Sequence, residues 1–145
     1  MIVKVDNSNI ENCVILANKL WQDNNKEELL DEFKELLEGE NEEVFMYFLE
    51  GYGYIGFIQL SLRYDYVEGS CSTPVAYIEG IYVDKPFRRK GIALELVKFA
   101  EEWGKDRECK ELASDCELDN NLSIDFHNRV GFNEVNRLVC FVKSI

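Results

Sequence analysis

The stretch from Tyr77 to Leu96, YIEGIYVDKPFRRKGIALEL, constrains this chain more than any other. With Val75-Ala76 before it, an apolar run reaches Ile78 and resumes at Ile81-Tyr82-Val83, leaving Glu79 and Gly80 between. Aromatic and β-branched residues over such a length predict a buried strand. Asp84-Lys85-Pro86 ends it, because proline fixes φ and lacks the N–H that a sheet ladder uses. After Phe87 come Arg88-Arg89-Lys90-Gly91-Ile92-Ala93, and then Leu96, Val97, Phe99, Ala100 and Trp103 recur at helical spacing. The order is strand, basic turn, glycine, helix.

That order has a chemical use. The first N–H groups of a helix have no partner inside it, and the dipole leaves that end partially positive. Glycine allows close approach to the backbone, and three cations stand just before it, so the turn suits a pyrophosphate. It is neither a GxxxxGK[ST] loop nor a GxGxxG turn. The plainer reading is a basic surface turn before an ordinary helix. The pattern Arg88-x-x-Gly91-x-Ala93 in this setting resembles the acyl-CoA loop of the GCN5-related N-acetyltransferases.

With 145 residues, 46% of them apolar, the chain fits one domain spanning residues 1–145 with a proper core. No apolar run reaches membrane-spanning length, and MIVKVDNSN lacks a signal-peptide layout, so a cytoplasmic protein with no membrane contact is expected. Cys13, Cys71, Cys109, Cys116 and Cys140 are an odd set without a C-x-x-C pair, beside a single histidine, His127. They fit neither a disulfide framework nor a metal site, and reduced thiols are expected. Sixteen basic against twenty-eight acidic residues give a net charge of −12, which repels nucleic acid and favours cationic ligands. The basic cluster at Arg88–Lys90 stands against that field.

Along the chain, Met1–Val5 predicts a short strand. Asn7 or Ser8 can cap a helix that carries Ile10, Cys13, Val14, Ala17, Leu20 and Trp21 on one face. Asn24-Asn25 interrupts it, and a second helix turns Leu29, Leu30, Phe33, Leu36 and Leu37 inward and ends near Gly39. Glu43–Glu50 and Tyr52–Leu62 predict a hairpin about Glu50-Gly51, and Arg63–Pro74 a loop. Beyond the central strand and helix, Glu111–Ser114 predicts a short parallel strand, Ser123–Val130 a helix, and Phe132 to Val142 a last strand. There is no repeat or linker, so the expectation is one α/β domain.

The order βααββ-β-αβαβ resembles the GNAT (acyl-CoA N-acyltransferase) fold, a mixed central sheet with splayed central strands flanked by helices. Trp21, Arg63-Tyr64-Asp65-Tyr66-Val67, Ile78 through Val83, Ala113-Ser114-Asp115 with Asn120, Trp103-Gly104, and His127 with Gly131-Phe132 are together similar to aminoglycoside 6'-N-acetyltransferases. This resemblance covers nearly the full chain.

It implies acetyl-CoA as co-substrate, a polycationic amine as acceptor, no metal, and a homodimer. It implies that backbone groups of Ile81, Tyr82 and Val83 bind the pantetheine arm, with the Val83 N–H polarising the thioester carbonyl in an oxyanion role. Arg88, Arg89, Lys90, Gly91, Ile92, Ala93 and Leu94 would hold the pyrophosphate. Asn120 would contact the cofactor, although as a residue it serves equally well as a helix cap. Glu79 interrupts an apolar strand, where an unpaired carboxylate is costly; an ion pair with a buried arginine would explain it, and so would a place in the acceptor cleft. There it would bind the amine and take its proton through water. Asp115 is a second anionic candidate or a turn carboxylate. Trp21 and Tyr66 could lay rings against sugars or sit in the core. His127 is read as structural, and Asn136 stands where an acidic residue is expected in some relatives.

The expected activity is acetyl transfer to the 6'-amine of an aminoglycoside by direct attack in a ternary complex. The alternatives are acetylation of a polyamine or other small amine, and an acyl-CoA sensor without turnover. Glu79 and Asp115 argue against the sensor, since CoA binding needs neither.

Overall fold

The computed structural model describes all 145 residues. In chain order they form β1 (Ile2–Lys4), α1 (Ile10–Leu20), α2 (Lys26–Glu38), β2 (Glu42–Leu49), β3 (Gly53–Arg63), β4 (Val75–Val83), a 3₁₀ turn (Lys85–Phe87), α3 (Ile92–Lys105), β5 (Leu112–Ser114) and α4 (Asn121–Arg129). The sheet runs β1-β2-β3-β4-β5, antiparallel except for the parallel pair β4–β5. It is a mixed central sheet flanked by helices, as the sequence implies.

Side-chain alternation sends successive strand residues to opposite faces, and each face has its own core. Val44, Met46 and Phe57 join Leu16, Ala17, Leu29 and Phe33 under α1 and α2. Phe45, Ile58, Leu60, Ala76 and Ile78 join Leu96, Val97, Ala100 and Trp103 under α3. Gly104 permits the closest approach of α3, since a Cβ there would lie 2.9 Å from that of Ala76. The α2 helix starts where Asn25 accepts the Glu28 N–H at 2.8 Å.

Two departures from regularity in β4 place the chemistry. In the β3–β4 ladder Gln59 faces Gly80 and Leu60 faces Ile78, so Glu79 is an extra, bulged residue. A bulge re-aims a side chain, which is how a carboxylate leaves an otherwise apolar strand. The second departure is length. β5 pairs with β4 only from Ala76 to Ile78, and from Glu79 to Val83 that edge of β4 has no strand beside it.

Several sequence expectations need correction. The strand expected from Phe132 to Val142 does not form, and residues 133–145 have no regular structure. Alternating apolar residues are not enough: strand N–H and C=O groups need a ladder partner, and the five-stranded sheet of this chain does not receive the segment. The first helix is preceded by Asn9 rather than capped by Asn7 or Ser8, and Ser8 bonds to Asp6 instead. Leu20 lies on the exposed side of α1, and Trp21 is the residue just after it rather than part of its buried face. The helix expected at Ser123–Val130 begins two residues earlier, because Asn120 caps it by accepting the Ser123 N–H at 3.1 Å.

Candidate active site

The open edge of β4 comes first. The Asp84 N–H donates to the Ile55 carbonyl at 2.8 Å, so by strand alternation Tyr82 also faces β3 while Ile81 and Val83 turn their N–H groups the other way. With β5 ended, those two N–H groups front the gap. Main-chain donors there can pair with an extended amide-bearing arm and polarise a carbonyl.

That gap leads to the basic turn. Gly91 precedes α3 with φ of +84°, and nothing lies within 4 Å of where its Cβ would be. Arg89 also has a positive φ, 60°. The exposed side chains of Arg88, Arg89 and Lys90 therefore ring a helix end whose N–H groups are free of helical partners. Arg88 also has a structural task, donating from Nε to the Val83 carbonyl at 2.8 Å and lying over the Tyr82 ring. Its hand ties the turn to the strand end. Ile92 is buried and Leu94 exposed, so only the backbone of Ile92–Leu94 is suited to an anion.

On the face of the sheet under α1 and α2, Glu79 opens into a cavity of about 630 Å³. Trp21, Phe33 and Leu36 give it apolar wall, and Glu32, Glu35, Glu40, Glu42 and Glu79 give it five carboxylates, with no lysine or arginine among its lining residues. Trp21 is held there by a missing side chain: a Cβ on Gly80 would meet its ring at 2.6 Å. The ring also packs on Phe57, 5.7 Å between centroids. Gln59 donates to Glu42 at 3.0 Å on the same wall.

Glu79 is not alone. It accepts from Ser61 Oγ at 2.6 Å, from Arg63 Nε at 3.0 Å and from Arg63 Nη2 at 2.8 Å. The Arg63 guanidinium lies 3.4 Å above the centre of the Tyr77 ring, and the Tyr77 hydroxyl donates to Asp115. The two carboxylates singled out in the sequence are thus the ends of one chain, Glu79–Arg63–Tyr77–Asp115. Its electrostatics are consistent. The hydrogen bonds it donates to Glu79 raise the Arg63 guanidinium above its usual range. Burial, with the bond to Asp115, pushes the Tyr77 phenol well above the ordinary tyrosine value. Tyr77 is therefore a donor to Asp115 and not a source of protons at neutral pH.

Other candidates lie apart. Tyr66 sits on an exposed loop, bonded to Glu68 and not lining the cavity, and Asn136 Nδ2 donates to the same Glu68 at 2.9 Å. Asn120 caps α4, which leaves its amide nitrogen free. His127 is held by Ser114 Oγ at 2.8 Å and by the Ser123 carbonyl at 2.7 Å. No group of three or more His, Cys, Asp or Glu side chains converges as a metal ion would need. Burial pushes the Cys13 thiol up to about 12, so it is inert packing. Sequence reasoning missed Ser61, Tyr77 and the role of Arg63; the signal available was that Ser61 and Arg63 alternate on one face of β3.

The model of the acetyltransferase (GNAT) family matches residues 10–132. The chain belongs to the GNAT acetyltransferase family. Within it, this acetyltransferase is similar along its whole length to aminoglycoside N(6')-acetyltransferases type 1. That of Serratia marcescens is 38% identical, covering 100% of this chain and 99% of the relative. That of Acinetobacter baumannii is 35% identical over 99% of this chain and 98% of the relative. Among solved structures, AAC(6')-Iy in complex with the bisubstrate analogue CoA-S-monomethyl-acetylneamine superposes with a TM-score of 0.94 at 32% identity, covering 100% of this chain and 98% of that one. The AAC(6')-Ig enzyme of Acinetobacter haemolyticus, without ligand, gives 0.94 at 34% identity, covering 100% and 99%. The acetyltransferase therefore shares fold and family with 6'-N-acetylating aminoglycoside enzymes.

Proposed function

We propose that this acetyltransferase transfers the acetyl group of acetyl-CoA to the 6'-amine of an aminoglycoside, by direct attack in a ternary complex. The observation that carries the reading is the pairing of two unlike sites about β4, one at its open edge and the other on the face where Glu79 emerges. One is a cationic helix end beside two free strand N–H groups, and the other is an anionic cavity with an aromatic wall. The fit of the first site to the co-substrate rests on Gly91, where any Cβ would fill the space an oxygen needs. Relatives of the same length bear the name of this activity.

Acetyl-CoA, when bound, supplies a thioester; the chain's own residues do the rest. Arg88, Arg89, Lys90 and the N–H groups of Gly91–Leu94 hold pyrophosphate, and the Asn120 amide contacts the cofactor from the start of α4. The N–H groups of Ile81 and Val83 and the Ile81 carbonyl, which turns the same way, hold the arm, while the Tyr82 main chain pairs with β3 instead of binding it as the resemblance implies. The Val83 N–H faces the carbonyl oxygen on which negative charge develops. Glu79 accepts a hydrogen bond from the reacting amine, while Trp21 flanks the sugar and Asp115 and the outer carboxylates take further ammonium groups. Tyr66 serves the far rim, reached through the loop it shares with Glu68. In the reaction the amine loses a proton to water or through Glu79, its lone pair forms the amide bond, and the C–S bond breaks. The sulfur leaves with the bonding pair and takes up a proton. No metal and no enzyme thiol enters this balance.

The reading extends to assembly and place. Leu138, Val139, Phe141, Val142 and Ile145 are exposed, and Val142 is fully so at 101%. These apolar side chains, left uncovered by the chain's own elements, support a homodimer in which a second copy covers them. A cytoplasmic location, where acetyl-CoA is at hand, suits the reduced cysteines, and no helix is long and apolar enough to cross a membrane. The test of function is release of free CoA with kanamycin, with spermidine and with no acceptor. Kanamycin-dependent release is expected; release with spermidine alone would move the substrate to polyamines, and CoA binding without release would leave a sensor.

A further inference from the structure

We propose that Arg63 is a positioning residue for the acceptor: it offsets the charge of Glu79 so that the reacting amine is received in its neutral, nucleophilic form. This rests on the placement of that amine at Glu79 proposed above.

A carboxylate alone would be a poor choice for the task. Set beside an alkylamine, whose pKa is ~10, it stabilises the ammonium and makes attack harder. The cavity compounds the difficulty, because Glu32, Glu35, Glu40 and Glu42 face Glu79 across it, and Asp115 lies beyond Tyr77. From the α1 side only the uncharged Trp21 and Asn24 face it. Six carboxylates would hold a polycation firmly and keep every amine protonated.

Arg63 is the one cation in an ion pair with any of the six. Its guanidinium forks onto Glu79 at 3.0 and 2.8 Å and stacks 3.4 Å over Tyr77, which in turn holds Asp115. It is not core packing, since 39% of its side chain remains exposed, against 25% for Glu79. A fixed positive charge disfavours a second one nearby, which is how a cation next to an amine frees its lone pair. Glu79 Oε2 takes a single protein hydrogen bond, so it can still accept one from the amine. The cleft thus divides its work. The outer carboxylates hold ammonium groups, and the compensated pair Arg63–Glu79 receives the amine that reacts.

The experiment measures kcat and KM for kanamycin across neutral and alkaline pH in the parent, Arg63→Met, Arg63→Gln and Arg63→Lys. Methionine and glutamine keep the unbranched stem without the charge, so kanamycin should bind several-fold tighter while kcat at neutral pH falls about tenfold. The acidic limb of the kcat profile should move up by about one pH unit, recovering turnover at alkaline pH. Lysine should keep the parent limb. Circular dichroism and CoA calorimetry check the fold, and the two neutral variants cover each other if one is unstable. A parent-like acidic limb in a folded neutral variant, or a raised KM with no movement of the limb, would overturn the inference and leave Arg63 as a brace for the β4 bulge. The underlying reading fails separately: parent enzyme that turns over kanamycin with Glu79→Gln unchanged would remove the amine from Glu79, and no kanamycin turnover at all would remove both.

Discussion

Glu79 and Asp115 are joined through Arg63 and Tyr77, yet they should fail differently when neutralised. Glu79→Gln keeps the shape of the side chain and an oxygen for Ser61, but leaves the Arg63 guanidinium without its counter-charge. A charge-assisted hydrogen bond is worth about 1.5–3 kcal/mol, or roughly one to two decades in kcat/KM, and for this residue the loss should fall mainly on kcat. Asp115 is exposed and touches only Tyr77 of that network, so Asp115→Asn should raise KM for kanamycin about tenfold and leave kcat and the melting temperature near those of the parent. Steady-state kinetics on the two variants separates these outcomes; equal effects on kcat would mean that both act on the reacting amine. Glu79 was legible in the sequence because a carboxylate interrupts an apolar run. Arg63 was not, because only the register of β3 on β4, with its bulge, brings residue 63 to residue 79. Tyr66 was legible only through resemblance, and the fold puts it on an exposed loop.

At the scale of elements, the proposed placement of both substrates rests on two glycines, and they can be tested apart. Gly91 holds φ of +84° with open space around it, so Gly91→Val adds backbone strain and a branched side chain where phosphate oxygens approach. CoA affinity measured by calorimetry should fall by at least tenfold with the fold retained; unchanged affinity would remove the pyrophosphate from this turn. Gly80→Ala would press on the Trp21 ring at 2.6 Å, costing about 1–3 kcal/mol of stability and raising the acceptor KM while CoA affinity stays put. The other end of the sheet is fixed by Glu43, which accepts from Trp103 Nε1 and Arg107 Nη2, each at 2.6 Å, and from Lys4. Burial pushes its carboxyl up, but the bonds from Lys4 and Trp103 and the Arg107 charge outweigh this and hold it below the usual carboxylate range. A carboxyl lowered on folding stabilises the protein above its unfolded pKa, and that contribution is lost as acid protonates it. Glu43→Gln should therefore lower the melting temperature at neutral pH and narrow the gap between neutral and acid melting temperatures. Strands and helices with a strong period were legible in the chain, β4 and α3 most of all. The strand expected from Phe132 to Val142 was misread, since strand formation depends on a partner that periodicity does not name.

For the whole molecule, the net charge of −12 and the acidic cavity point the same way, towards a polycationic acceptor, while the basic turn is the proposed seat of the anionic co-substrate. The exposed tail makes a further prediction. Light scattering should find a dimer at micromolar concentration, and Phe141→Asp should shift it towards monomer; a parent that is monomeric at every concentration would leave the tail uncovered and refute the assembly. Chelator should leave activity untouched, as should Cys116→Ala, because direct transfer balances without metal or thiol. The central claim is the chemistry at one nitrogen. The purified enzyme incubated with acetyl-CoA and kanamycin, followed by thiol release and by NMR of the product, tests it most directly. The account predicts one CoA released per kanamycin, with a single new acetyl group on the 6'-nitrogen. Acetyl on any other nitrogen, or spermidine acetylated while kanamycin is left intact, would contradict it.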